Sequence, residues 1–458
     1  MQEPIRHCRT SVPCLNLSSG RTLLRMRDFE LITSSKSSNK WYQVDPGLRV
    51  YSQPAESSSK KDTDGSESHE MPLCDPETKW KVPQHMCQRS HHYQQVQADE
   101  AEEKVDSYQE AVRCLNSLQS NASVLRNIKE TKDSRAQENI PEVEKHLLAL
   151  GISPDDLDRL NVIHVSGTKG KGSTCAFVES ILQKHDISTG FYSSPHLVAA
   201  RERIRINGEP LSEAQFTSYF WQVYHQIRDA QGDGAVMPPY FRFLTLMAFY
   251  VFLEEKVDVA ILEVGIGGQY DCTNVVRNPV VVGITSLDLD HMHILGHSIE
   301  QIAWHKAGIM KVGRPAFSVP QSPGAMNVIR GRAKEIGSHL YEVDMMKVED
   351  WSRRGIPLGL NGEVQAVNAS LALQLARIWL QVHPSHCRES RISLPEEPPP
   401  IFPVSDREIH GLSETVWPGR CQVFKRGRVI YCLDGAHTCS SMSACVKWFS
   451  GILDSVIR

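Results

Sequence analysis

The residues best suited to chemistry lie in one stretch, Gly167-Thr168-Lys169-Gly170-Lys171-Gly172-Ser173. The apolar run Val162-Ile163-His164-Val165 precedes it, and an amphipathic pattern from Thr174 to about His185 follows. A strand, a tight glycine turn and a helix N-terminus together cradle an anion. Glycine lets the backbone wrap closely, its N–H groups point inward, and the helix dipole adds to the attraction. Lys171 supplies a point charge for outer phosphates, and the Ser173 hydroxyl suits Mg2+. The stretch departs from the general P-loop pattern at two places. Val165 stands where that pattern has its first glycine, and Gly172 separates Lys171 from Ser173. A plain surface Gly/Lys loop would not need the flanking strand and helix.

Those elements must be positioned by a larger scaffold. Thr189–Tyr192, Val257–Val264 and Val280–Thr285 read as short strands, the last two buried. Helical patterns run between them, at Ser212 to about Arg228, opened by the capping box Ser212-Glu213-Ala214-Gln215, and at Tyr240–Glu255. Alternating strands and helices predict an α/β fold with a doubly wound parallel sheet. Ligands of such sheets bind beyond the carboxyl ends of the strands. The glycine loop, Ser194, Glu263 and His291 all fall at such ends. A hydroxyl, a carboxylate and an imidazole make a hard-cation site with room for water and substrate oxygens. Taken singly they are equally well a turn residue, a solvated strand end and a loop histidine. Arg201, Arg203 and Arg205 alternate with Glu202, Ile204 and Ile206, so an extended chain puts the three arginines on one face. Residue types leave open whether that face holds an anionic substrate or is a solvated edge.

The 458 residues have room for two or three domains, and 40% hydrophobic with 23% charged residues fits a globular chain. A net charge of −4 gives no general attraction to nucleic acid. The 12 cysteines show no Cys-x-x-Cys pair, which suits free thiols rather than a disulfide framework or zinc site. No apolar run reaches the ~18 residues of a membrane span. Residues 1–106 are rich in Ser, Lys, Gln, His and Asp and read as a poorly structured extension. Its start carries Arg6, Arg9, Arg21, Arg25 and Arg27 against Glu3, which suits either a mitochondrial transit peptide or an extension without targeting value. Tyr108, Ala111, Val112, Leu115 and Leu118 then recur at helical spacing.

Five segments in order resemble the eukaryotic folylpolyglutamate synthase family of the Mur ligase-like superfamily. They are His164–Ser173; Phe191-Tyr192-Ser193-Ser194-Pro195-His196-Leu197; Leu262-Glu263-Val264-Gly265-Ile266-Gly267-Gly268; Leu289-Asp290-His291 on to His305-Lys306-Ala307-Gly308-Ile309; and Trp417-Pro418-Gly419-Arg420 with Leu433-Asp434-Gly435-Ala436-His437. The resemblance runs from about Ser107 to Phe449. It implies an ATP-binding P-loop domain over 107–415 and a Rossmann-like C-terminal domain beginning at 416. It also implies an ADP-forming acid–amino-acid ligase that adds L-glutamate to the γ-carboxylate of tetrahydrofolate through an acyl phosphate. ATP and Mg2+ are the implied cofactors, with K+ as a further cation. Tetrahydrofolate and glutamate are the implied partners, in a monomer of the cytoplasm, the mitochondrion or both.

By the same resemblance, Gly167, Thr168, Lys169, Gly170, Lys171, Gly172 and Ser173 cradle the triphosphate. Asn368, Arg420 and Asp434 contact the nucleotide. Ser173, Ser194, Glu263 and His291 hold metal, and Lys171, Lys306 and His437 act in catalysis. Lys306 matches the family's carbamylated lysine. The Ser193–Leu197 loop and the three arginines are the expected folate contacts. Two departures stand out. Gln365-Ala366-Val367 replaces the usual Gln-Arg before Asn368, and 416–458 offers one hairpin and one helix where the family has further strand–helix units. The expectation is therefore an incomplete C-terminal domain that leaves Val429, Ile430, Val446, Trp448 and Phe449 exposed, with weak or absent catalysis. A truncated ATP- or folate-binding form is the alternative.

Overall fold

The computed structural model describes residues 21–26, 29–33, 41–44, 50–52, 107–119, 138–232, 236–344, 348–382 and 400–457. The chain forms two compact units. One combines residues 1–60 with 419–458, and the other spans 61–418.

The larger unit is built on eight strands: β5 (Ile163–Ser166), β6 (Thr189–Tyr192), β7 (Ile204–Ile206), β8 (Glu209–Pro210), β9 (Val259–Glu263), β10 (Val281–Ile284), β11 (Pro315–Ser318) and β12 (His339–Glu342). They form one sheet in the order β12-β11-β10-β5-β9-β6-β7-β8. Every pairing from β12 through β6 is parallel; β7 and β8 add an antiparallel edge. The expected doubly wound sheet is thus present.

The two-residue repeat of each strand explains why both faces are covered. Ile163 and Val165 of β5, Val259 and Ile261 of β9 and Val281 of β10 face one core. That core is closed by the helices Lys171–Gln183, Val364–Val382 and Asp406–Glu414. The intervening residues Ala260, Leu262 and Tyr192 face the opposite core. There the helices 107–117, Asn139–Ala149, Glu213–Gln231 and Tyr240–Glu254 pack. Val282 and Ile284 instead meet the helices Ile299–Ala307 and Pro323–Ile336. Phe243, Phe249 and Phe252 of Tyr240–Glu254 are fully buried, each contributing about 1.5–3 kcal/mol. The expected capping box at Ser212 forms, with Gln215 returning the bond.

The smaller unit carries six strands: β1 (Arg21–Met26), β2 (Phe29–Thr33), β3 (Trp41–Val44), β4 (Val50–Ser52), β13 (Gln422–Arg426) and β14 (Val429–Asp434). They make a mixed sheet in the order β13-β14-β2-β1-β3-β4. This corrects two sequence expectations. Four strands lie inside 1–106, where short apolar alternations such as Phe29-Glu30-Leu31-Ile32 are masked by the polar tracts around them; the rest of 1–106 lies outside the described residues. The terminal hairpin also has a partner, because β14 pairs parallel with β2. Trp448 and Phe449, expected to be exposed, are buried with Cys421, Cys432, Ala436 and Cys445, and Ile430 packs against them. They sit on the helix Cys439–Ile457, whose spacing turns one face onto the hairpin. Val446 does remain exposed.

Candidate active site

Four adjacent parallel strands, β10, β5, β9 and β6, end side by side. The segments that follow them bring the predicted side chains of the larger unit together. After β5 the chain turns through Gly167 at φ 144° and Gly170 at φ 90°, both open only to glycine in practice. A methyl on Gly167 would overlap Thr285, and one on Gly170 would overlap the Asn368 amide. Gly170 is the N-cap of Lys171–Gln183, and the helix's own hydrogen bonds start with Thr174 N–H to the Gly170 carbonyl at 2.8 Å, leaving the N–H groups ahead of it without intrahelical acceptors.

The N–H groups of Thr168 and Lys169 point elsewhere. Both donate to the Ser286 carbonyl at 3.0 Å, and Thr168 Oγ1 donates to the Asp288 carbonyl at 3.2 Å. Lys169 Nζ lies 3.0 Å from Asp290 Oδ2. The N–H groups of residues 168 and 169 are thus committed to the segment 286–288.

Lys171 Nζ stands 3.8 Å from Glu263 Oε1, with both side chains largely buried. Glu263 Oε2 accepts the Ser194 backbone N–H at 3.2 Å. Ser173, on the same first helical turn as Lys171, is buried. His291 is half-exposed with φ 50°. Burial pushes its imidazole pKa down; Asp290 opposes this, while the charge of Lys171 reinforces it. Lys306 is buried and donates to the Gly167 carbonyl at 2.7 Å, while its own carbonyl accepts from Ser166 Oγ. Burial, and next the charge of Lys171, hold its amine well below the usual lysine range.

These groups suit a hard cation by chemistry, since a carboxylate and two hydroxyls are oxygen donors. Among the described residues no three His, Cys, Asp or Glu side chains form a metal cluster.

Sequence reading missed an aromatic wall beside the loop. Trp417 lies 5.1 Å from Phe191, and Arg205 stacks over it at 5.3 Å. A methyl on Gly172 would come within 2.9 Å of Trp417 Nε1, so this glycine makes room for the indole. It also missed a polar chain under the loop. Asp271 Oδ2 accepts the Gly265 and Ile266 N–H groups, and Oδ1 accepts Thr273 N and Oγ1. Thr273 Oγ1 lies 2.8 Å from His164 Nε2 on β5. The hydroxyl donates its only hydrogen to Asp271, so it accepts from His164, which carries its hydrogen on Nε2. An Asp two residues before Thr, just after Gly267-Gly268, was the available signal for this turn.

The arginine stripe does not form. Ala200–Arg203 is a 3-10 turn, and only Ile204–Ile206 is extended. Arg201 donates to the Leu211 carbonyl, Arg203 to His196 Nδ1, and Arg205 pairs with Glu179 at 3.4 Å. Burial raises Glu179 to about 7, with Arg205 opposing.

In the smaller unit, the Asp434 carboxylate accepts Cys421 N at 2.8 Å and Ala436 N at 2.9 Å. A methyl on Gly435 would overlap the Arg420 guanidinium. His437 Nδ1 lies 2.8 Å from the Gly435 carbonyl. A carbonyl only accepts, so Nδ1 carries a hydrogen.

No family model matches the chain. It is 52% identical over 349 residues to the human mitochondrial folylpolyglutamate synthase, covering 75% of this chain and 59% of that one. It is 46% identical over 353 residues to the putative folylpolyglutamate synthase of Caenorhabditis elegans, covering 76% and 67%. The chain belongs to the folylpolyglutamate synthase family. A solved folylpolyglutamate synthase complexed with AMPPCP and folate matches at 27% identity and TM-score 0.60, covering 75% of this chain and 80% of that one. The chain spans about three fifths of the length of the mammalian folylpolyglutamate synthases it matches.

Proposed function

We propose that the chain is an ATP-dependent ligase that lengthens the γ-glutamyl tail of tetrahydrofolate by one L-glutamate at a time. One observation carries this reading. The glycine loop, Lys171, Glu263, Lys306 and the segment before His291 converge at the carboxyl ends of four neighbouring strands, in a chain of a family whose solved member binds AMPPCP and folate.

The reaction activates a carboxylate by phosphorylation and lets an amine displace the phosphate. It needs charge held at fixed places more than a protein nucleophile. The first turn from Gly170 to Ser173 receives the outer phosphates on backbone N–H groups, and Lys171 neutralises them. Asn368, packed on Gly170, lies beside the nucleotide. Ser173, Ser194, Glu263 and His291 would hold Mg2+, which supplies charge neutralisation on the phosphate oxygens, with K+ as a further cation. The burial of Lys306 favours the neutral amine, the form that carbamylation requires. In the smaller unit, Arg420 and Asp434 keep the nucleotide role and His437 the role toward the reacting carboxyl group that the family resemblance implies. The chain acts as a monomer in the mitochondrion, as the name of its human relative suggests, and in the cytoplasm.

Incubating the protein with tetrahydrofolate, labelled glutamate and Mg-ATP tests the proposal. Label entering a longer folate with matching ADP release supports it. ATP binding without label transfer refutes ligation and leaves the nucleotide-binding form.

A further inference from the structure

The glycine loop carries two lysines, and their surroundings differ. Lys171 opens a helix and stands beside Glu263 at 3.8 Å. Lys169 is turned the other way, with Nζ 3.0 Å from Asp290 Oδ2 and the two side chains only 25% and 20% exposed. The second oxygen of Asp290 accepts the backbone N–H of His291 at 2.8 Å. His291 holds φ 50°, a conformation that a residue with a Cβ keeps only when its neighbours enforce it. The backbones are joined in the same place, because Ser286 receives the N–H groups of both Thr168 and Lys169 and the Asp288 carbonyl receives the Thr168 hydroxyl.

We propose that Lys169 and Asp290 form a positioning strut that locks the His291 segment onto the glycine loop, and that the Lys169 side chain is not a phosphate ligand. This deepens the function proposed above and rests on it. The division of labour follows from charge. Swinging Lys169 to a phosphate would strip a largely buried carboxylate of the cation it touches. Lys306, a third lysine near this place, has its Nζ already bonded to the Gly167 carbonyl. The strut also agrees with the backbone: residues 168 and 169 belong, by their bonds, to the segment 286–290.

The test compares Lys169→Met, Asp290→Asn, the double variant and Lys169→Arg in the full chain. The readouts are affinity for a fluorescent ATP analogue with Mg2+, backbone hydrogen exchange over residues 286–297, and folate-dependent ADP release. The strut predicts that the Lys169→Met and Asp290→Asn proteins bind the analogue within about threefold of the unaltered protein. Each speeds exchange over 286–297 and lowers kcat roughly tenfold with KM for ATP little changed, and the double variant adds almost nothing, since residues in direct contact are strongly non-additive. Lys169→Arg restores most of the loss. A phosphate ligand at Lys169 predicts the reverse, namely a tenfold or greater loss of analogue affinity in Lys169→Met alone, unaltered exchange over 286–297 and no effect of Asp290→Asn, and that result overturns the proposal. If the unaltered protein neither binds the analogue nor releases ADP, the ligase reading falls. The exchange data then decide the strut by themselves: shared, non-additive loosening upholds it and unaltered exchange removes it.

Discussion

Replacing Gly170 with alanine separates two forces that the structure superimposes at the loop. The first is conformational. Gly170 has φ 90° and ψ −7°, where a residue with a Cβ loses about 1–2 kcal/mol relative to glycine. The second is steric. The new methyl would overlap Asn368 Oδ1 and press on Cγ at 3.0 Å and Nδ2 at 3.2 Å. Asn368 is buried and its Nδ2 is engaged by Gln365 Oε1 at 2.9 Å, so it cannot retreat without losing that bond. Crowding of this kind costs about 1–3 kcal/mol, so Gly170→Ala should destabilise the protein by about 2–5 kcal/mol in total. Urea unfolding reads the sum, and a cycle with Asn368→Ala reads the parts. Asn368→Ala alone should cost about 1 kcal/mol for the lost hydrogen bond. In that background Gly170→Ala should cost only the conformational share, because the amide it struck is gone. Equal cost in both backgrounds would show that Asn368 does not press on the loop, and would remove the structural argument for placing Asn368 beside the nucleotide.

Other expectations follow from the same contacts. Trp417→Ala removes the stack on Phe191 and the cover of Arg205, and should cost about 1–3 kcal/mol in urea unfolding; a change below the error of the measurement would refute a packed wall. Glu408 contributes a pH dependence. Burial acts to raise its carboxyl, but the Arg377 guanidinium and the Ser405 N–H and hydroxyl outweigh it and leave the pKa below the ordinary 4.5. A depressed carboxylate stabilises the fold above its unfolded pKa, and that stability is lost as pH falls through the folded value. Glu408→Gln should therefore lower stability at pH 7 and flatten its fall below about pH 4.5, where protonation otherwise begins to act; an unchanged acid limb would count against the pairing. Thr273→Val breaks the chain from Asp271 to His164, leaving two buried partners short of a bond, and should cost about 2–4 kcal/mol; a neutral Thr273→Val would sink the hydrogen assignment at His164.

Much of the larger unit was legible because its physics is local. Runs such as Val259–Glu263 are apolar on both faces, which only a sheet covered on both sides demands, and the glycine loop announces its turn by composition. Placing Ser194 next to Glu263, as the backbone bond between them now does, needed only the rule that functional groups of parallel sheets gather at the carboxyl ends of the strands. The arginines failed for an equally physical reason. Alternation predicts a shared face only for an extended chain, and Leu197, Val198 and Ala199 donate their N–H groups to Glu202, curling the segment before β7 into a 3-10 turn. No period-two reading can anticipate a side chain that competes for backbone in this way.

The terminal hairpin was legible, but its pairing with the strands of 1–106 was not, because β2 and β14 are some four hundred positions apart and pairing across such a distance leaves no mark in either segment. Lys306 shows the remaining gap between residue type and behaviour. Its position in a helix was legible, but the charge on its amine is set by burial and by Lys171, which the fold brings to it from another element. A lysine in this setting cannot be assigned as a phosphate-neutralising cation from its identity alone. Three lysines approach the loop region, and the surroundings give each a different task. Lys171 stands beside Glu263, Lys169 is bound to Asp290, and Lys306 donates to the Gly167 carbonyl. The spacing Lys169-Gly170-Lys171 makes the first two look interchangeable, and the helix that begins between them is what separates their roles.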